Sequence, residues 1–514
     1  MKILSFDDNT WLYPDLTPDR DGSPELLLAR GGHTGVQFLT DVTGSAAKLS
    51  AKLPAGITAR WYQLVPVTVE FNSGPKHLVA LPEEDVSDFV TRKAPFQVYD
   101  LTVPIEAETA LRPVRTAFFV RLEAAADAAP GAGTAEFTVT VNGETATVSL
   151  PLTVSRAVVP PLAETDFIVN NWLTYEDICA LHHVEQGSAR FYELLDAYLD
   201  NLVELRSNHL QLPSGVPVCD ADGRVTDFDF SFCEAIADHA IARGVPCVYG
   251  GFVARWKVWK EPEIFTNWDR DLDVTSTEAY RQFRLYFTKL WGIVTRHGWQ
   301  DHWMQCLVDE PQTANAMSYR VLAGICRKFM PGVLIHDPCE SPDLLGGTDI
   351  WCVKQATFDK HREDFKFLQS LGERLTVYTC GFPAYKWMNR ATDLPLLAGR
   401  LPFWICAREH FEGFLHWGYN VYRGEDPYEH NCCLDEGRHL PPGDGFIVYP
   451  GENGPIPTLR AHVQLFGTED CEILRQLPEE KVRALTEKVA PDFLNYVDDP
   501  AEFAVCRKEL LLSF

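Results

Sequence analysis

The feature that most constrains this chain is an alternation of short apolar strands with amphipathic helices between about residues 165 and 420. Strand patterns read at 165–172, 209–213, 246–252, 302–309, 333–337, 350–354, 375–382 and 413–419. From Ser188, apolar residues fall at Phe191, Leu194, Leu195, Tyr198, Leu199, Leu202 and Val203, the spacing of a helix that buries one stripe. Further helices read over 231–243, 276–298, 316–330 and 361–371. Eight strands with crossover helices over roughly this length predict a parallel (β/α)8 barrel.

The flanking segments read differently. Residues 1–156 are expected to form an all-β sandwich, with short alternating runs such as Arg60-Trp61-Tyr62-Gln63-Leu64-Val65-Pro66-Val67 between Gly, Pro, Asn and Asp punctuation. Asn142-Gly143 between two alternating runs is a strong two-residue hairpin signal. Ala157-Val158-Val159-Pro160-Pro161 reads as a linker into a barrel domain over 162–425. Residues 426–514 read as a strand and helical extension packed on the barrel, with helices from about Glu469 and from near Pro478. The expected fold is therefore multidomain: sandwich, TIM-type barrel, C-terminal extension.

Composition narrows the function. A net charge of −26 over 514 residues argues against nucleic acid, whose phosphates need basic patches, and against anionic membrane surfaces. No apolar run is long enough to span a bilayer, and the opening residues show no charged-then-apolar leader. Fourteen scattered Cys with no C-x-x-C pattern suit buried thiols in a reducing cytoplasm better than a disulfide framework or a zinc site. No metal or other cofactor is expected: there is no H-e-x-x-h-type pair of histidines, no nucleophile elbow and no phosphate loop. The thirteen Trp suit a small-molecule or oligosaccharide substrate, since sugars pack on aromatic faces. Assembly into homo-oligomers is left open.

The chemistry concentrates at His302-Trp303-Met304-Gln305-Cys306-Leu307-Val308-Asp309-Glu310-Pro311, where an apolar strand ends in two carboxylates and is stopped by proline. Strand ends on the C-terminal face of a barrel carry its catalytic groups. Successive strand side chains point to opposite faces, so both acids can share the mouth only where the strand breaks. Adjacent acids are too close along the chain to flank a glycosidic bond as separate acid and nucleophile. They suit a route in which the sugar's own 2-acetamido oxygen attacks the anomeric carbon, Asp309 orients the amide N–H, and Glu310 is acid and then base. The plain alternative is a charged loop end or helix start. Other strand ends supply substrate-binding candidates: Asn171 and Trp172 after the first strand, Asp337 after the fifth, Tyr378 and Tyr385 around the seventh, and Trp417 and Tyr419 after the eighth, where Gly418 leaves room for a close ligand.

Val308-Asp309-Glu310-Pro311, the barrel pattern, the run Gly443-Asp444-Gly445-Phe446-Ile447-Val448-Tyr449-Pro450-Gly451 with Gly454-Pro455, and the sandwich segment from Arg60 resemble glycoside hydrolase family 123 and its large set of relatives. That resemblance implies a retaining, exo-acting β-N-acetylgalactosaminidase using substrate assistance, with Asp309 as oxazoline stabiliser and Glu310 as acid/base. The tail departs from the pattern: where relatives read Arg-Leu-Glu…Arg-Asp-Gly…Glu-Asp-Tyr-Glu, this chain has Arg460-Ala461-His462…Leu465-Phe466-Gly467…Glu469-Asp470-Cys471-Glu472. The departure bears on substrate more than on the acid pair. The alternatives are a glycosidase acting on a sugar without an acetamido group, with a nucleophile such as Asp337, and a non-catalytic carbohydrate-binding barrel.

Overall fold

The computed structural model describes every residue except His77 and Glu436. The N-terminal region is a sandwich of two five-stranded sheets. One has the order Ile3–Asp7, His33–Thr43, Arg115–Ala124, Ile57–Val69, Phe96–Pro104; the other Leu26–Arg30, Glu144–Val158, Gly131–Val141, Ala46–Lys52, Glu108–Ala110. Val141 pairs with Glu144 across Asn142 and Gly143, whose φ values of 49° and 88° are those of a tight hairpin turn. Phe38, Trp61, Phe118, Val120, Phe137 and Val139 fill the space between the sheets. The neighbouring Ala117 and Phe119 point the other way, into a core shared with the rest of the molecule. A strand buried on both faces reads as a continuous apolar run, and Ala117-Phe118-Phe119-Val120 is one.

The barrel closes through eight parallel strands: Ile168–Asn171, His209–Gln211, Cys247–Gly250, Trp303–Gln305, Leu334–Cys339, Ile350–Lys354, Arg374–Thr379 and Gly413–His416. All eight expected strands are present, and the sixth has the expected bounds. The fourth ends at Gln305 instead of running to residue 309, and the eighth ends at His416. Helices Ala189–Glu204, Ser231–Ala242, Thr277–His297, Ala316–Phe329 and Arg362–Ser370 cover the outside as their stripes require.

The largest departure from expectation is the helix Leu459–Leu474, which begins ten residues before the expected start; a further helix, Pro500–Leu511, had no counterpart in the sequence reading. Every residue of Leu459–Leu474 is buried, so it carries no polar stripe to mark it. Its charged residues Arg460, Glu469 and Asp470 are paired with the elements on either side. Arg460 pairs with Asp100 at 2.9 Å, and Glu469 meets His33 at 2.6 Å, both on the sandwich. Asp470 accepts from Arg400 at 2.8 Å and from Arg507 at 3.0 Å, while Arg400 also reaches Asp8 at 3.3 Å. One fully buried carboxylate thus ties together the sandwich, the segment before the eighth barrel strand and the last helix.

Removing one member of a buried charge cluster leaves the others without compensation. Asp470→Asn is therefore expected to destabilise the fold by about 3 kcal/mol, read as a lower denaturant midpoint with an unchanged slope; a loss below about 0.5 kcal/mol would show that the cluster contributes no more than a surface pair.

Candidate active site

Beyond Gln305 the fourth strand loses its sheet partners and gains others. The Cys306 amide still donates to the Gly250 carbonyl at 3.0 Å. The Leu307 carbonyl then accepts from Val253 at 3.1 Å and Ala254 at 3.0 Å, both in the loop after the third strand. On the other side the Leu307 amide donates to Asp337 Oδ1 at 2.8 Å, and Tyr319 donates to Asp337 Oδ2 at 2.7 Å. The Trp256 indole donates to the Asp309 carbonyl at 3.0 Å. So clamped, the chain reaches Glu310 with φ +47°, a left-handed conformation that a glutamate rarely adopts. Leaving strand geometry there releases Asp309 and Glu310 from alternation, and strain of this kind concentrates at functional sites.

The two carboxyls have unlike surroundings. Glu310 Oε1 accepts from the Tyr378 hydroxyl and lies 2.9 Å from Lys354 Nζ. Lys354 is buried and also pairs with Glu340. Asp309 is exposed at the mouth, and among the described residues no group donates to its carboxylate. The protein around the concave barrel end strips much of its water, and that desolvation, with the Glu310 and Asp337 charges added, raises its pKa far above the usual carboxylate range; Lys354 opposes the shift. Burial alone would lower Lys354, but the Glu310 and Glu340 carboxylates reverse this and hold it as ammonium. The neighbouring Cys380 is a neutral thiol, pushed up to about 12 by burial.

The remaining candidates divide. Trp172 is half-buried, edge-on to Phe252 at 5.5 Å, and packs with Tyr378, Cys352 and Leu415 at the barrel centre. Trp417 is half-buried and its indole donates to Asp444 at 2.9 Å. Asp444, from the tail, also accepts from Asn389 at 2.9 Å and sits 3.5 Å from His416, which burial keeps neutral with a pKa near 4. Tyr385 is 38% exposed, with its ring 4.5 Å from Phe89 of the N-terminal region.

Three expected substrate contacts are corrected. Asp337 is fully buried, and both its oxygens are engaged as described; burial pushes its pKa up to about 7 although Tyr319 and the backbone amides pull it down. Its place is beneath Asp309 and Glu310, where it holds their backbone. Asn171 is likewise sealed, donating to Ser207 at 2.7 Å and accepting from Arg390 at 2.8 Å. Tyr419 lies past the end of the eighth strand and turns outward, donating to Asn201 of helix Ala189–Glu204 at 2.7 Å. The space beside Gly418 is filled by the backbone of Gly445: a Cβ at Gly418 would come within 2.4 Å of its oxygen. Lys354, Glu340, Trp256 and Asp444 were not among the sequence candidates. Lys354 carried a usable signal, as the one charge closing the apolar strand Ile350–Lys354.

Asp337→Ala would leave the Leu307 amide and the Tyr319 hydroxyl buried without partners, so a stability loss of about 1–3 kcal/mol is expected in chemical denaturation. An unchanged midpoint would remove Asp337 from its role as a clamp.

Comparison with known proteins places this geometry. The family described as "Glycoside hydrolase 123, catalytic domain" matches residues 216–477, more than half the chain, beginning after the second barrel strand. A family 123 glycoside hydrolase from Clostridium perfringens, whose structure was determined to detail glycolipid glycan hydrolysis, shares the fold at TM-score 0.74 and 14% identity, over 99% of this chain and 96% of that one. An endo-β-1,4-mannanase from Thermotoga petrophila aligns at TM-score 0.38 and 11% identity, over 61% and 78% of the two chains. No curated protein sequence matches. By its matched catalytic domain, the chain belongs to glycoside hydrolase family 123 and is a glycoside hydrolase.

Proposed function

We propose that this enzyme releases a terminal β-linked 2-acetamido sugar, N-acetylgalactosamine, with net retention and through assistance by the substrate's own amide. One observation carries the reading: two adjacent carboxyls are turned into one mouth, Glu310 held by Tyr378 and Lys354, and Asp309 with no protein donor on its oxygens. A carboxylate so placed suits an acetamido N–H. The acetamido oxygen attacks the anomeric carbon while Glu310 gives its proton to the departing oxygen. Asp309 accepts the amide N–H and stabilises the cationic ring that forms. Water, giving its proton to Glu310, then opens the ring from the face the leaving group occupied, so two inversions give retention. The choice of galactosamine rests on the family resemblance.

The proton must be in the right place. Two adjacent carboxyls titrate as a pair. Burial and the neighbouring charges raise Asp309, so the pair holds a proton more readily than an isolated carboxyl does. An arriving N–H donor favours the Asp309 anion, which leaves that proton for Glu310, where protonation of the leaving oxygen needs it. The burial of Asp337 counts against it as the nucleophile that a sugar without an acetamido group would require. The fourteen unpaired cysteines, most of them buried, support work in a reducing compartment such as the cytoplasm. Among the described residues no helix is long and apolar enough to cross a membrane.

The test is hydrolysis of 4-nitrophenyl β-GalNAc, β-GlcNAc, β-Gal and α-GalNAc. Activity is expected on the β-linked acetamido sugars, greatest on β-GalNAc, with inhibition by the matching thiazoline. Glu310→Gln should lose about 10²–10⁴-fold on substrates with poor leaving groups, and Asp309→Asn about 10²–10³-fold on every acetamido substrate. Equal turnover of β-Gal, or full activity in either variant, would overturn the proposal.

A further inference from the structure

Lys354 and Glu340 are drawn into the site by contacts that the reaction itself does not require. Lys354 closes the sixth barrel strand with its side chain only 5% exposed. Its ammonium lies 2.9 Å from Glu310 Oε1, in close contact with Glu340 Oε1, and 5.6 Å from the centre of the Tyr378 ring. Glu340 follows the fifth strand, and its amide donates to the Pro311 carbonyl at 3.2 Å. The backbone beside the acid pair is thereby joined to the segment that carries the second carboxylate.

We propose that Lys354 is a positioning residue that sets the orientation and proton affinity of the Asp309–Glu310 pair, and that Glu340 is its permanent counter-ion. The inference rests on the reading of Asp309 and Glu310 as the working pair. Glu310 alternates between acid and anion in each turnover. A buried ammonium whose only partner became neutral would be left uncompensated, which is costly. Glu340 takes no part in bond making; burial and the Glu310 charge raise it, but its direct contact with the Lys354 ammonium favours the anion, so that Lys354 keeps a counter-ion while Glu310 cycles. The pair then feels two opposed fields. The ammonium favours loss of its proton, whereas the Glu340 charge favours its retention. Other titratable groups facing the pair are Asp337 below it, Tyr378 on the seventh strand and Cys380 just past it, Cys352 from the sixth and Cys306 just past the fourth; Lys260 lies beyond Glu340. Burial keeps the thiols and the tyrosine neutral, which leaves Lys354 as the near cation.

The two substitutions therefore have opposite signs. Without the ammonium, Lys354→Met should hold the pair's proton longer and move the basic limb of kcat/KM up by about one pH unit. Glu340→Gln leaves the ammonium unshared, so the limb should move down by about one unit. Lys354→Arg keeps the charge and should keep the limb in place, even with a lower kcat. The profiles are measured on whichever 4-nitrophenyl glycoside the wild type cleaves, so an error in the sugar would show in the wild type alone. A substrate-free readout accompanies them: the unfolding temperature against pH. A pair that keeps its proton in the folded state contributes stability that is lost as pH rises through its folded titration. That loss should come later in Lys354→Met and earlier in Glu340→Gln. Should Lys354→Met fail to fold, Glu340→Gln and Lys354→Arg decide. Shifts of one sign in both charge-removing variants, or limbs fixed in all of them while rates fall, would overturn the proposal.

Discussion

Adjacent side chains on a strand face opposite ways, and a pair of neighbouring acids can work on one sugar only where that rule is suspended. Much of the site is arranged around this constraint. The fourth strand stops at Gln305, the chain passes to loop partners, and Glu310 takes a left-handed backbone. Such a conformation persists only where its surroundings over-determine it. Asp337 does so from below through the Leu307 amide, Val253 and Ala254 do so from the side, and Trp256 does so through the Asp309 carbonyl. Asp337 thus braces the mouth without lining it.

The same economy of buried charge recurs away from the mouth. Asp470 sits between Arg400 and Arg507, Asp100 against Arg460, and Glu469 against His33. These pairs lie where sandwich, barrel and C-terminal helices meet around Leu459–Leu474. Buried ion pairs contribute little net stability, but losing one partner is severe, so they enforce one mutual arrangement of the elements that meet there. Trp417 and His416 are steadied in turn by Asp444 and Asn389, which links the eighth strand end to the tail.

What the sequence made legible follows from which signals are local. The eight strands were visible because barrel strands are short and apolar on both sides, and Ile350–Lys354 was bounded by clear punctuation. The end of the fourth was not, because residues 306–308 stay apolar while their partners change from strand to loop. Leu459–Leu474 was read short because a helix buried all round has no amphipathic stripe. Tyr419 was misplaced because inward or outward facing can be counted along a strand but not past its last paired residue, and Asn171, still paired in its strand, because Ser207 and Arg390 seal it from the mouth. Asp309 and Glu310 stand out by charge at an apolar strand end, and the same logic applied to Lys354 marks the cation beside them.

That cation explains how the mouth can be so acidic. Glu310 and Glu340 pair with one ammonium, Asp309 lies beside them and Asp337 beneath, and the chain as a whole carries −26. Like charge and burial both oppose ionisation here, and burial raises Asp309, Asp337 and Glu340 alike. The left-handed turn at Glu310 sets its carboxyl beside Asp309, and in the proposed reaction the proton that this crowding favours is the one Glu310 delivers. On that reading a general acid at neutral pH needs no imidazole: carboxyls crowded beside a single, doubly paired lysine would supply one.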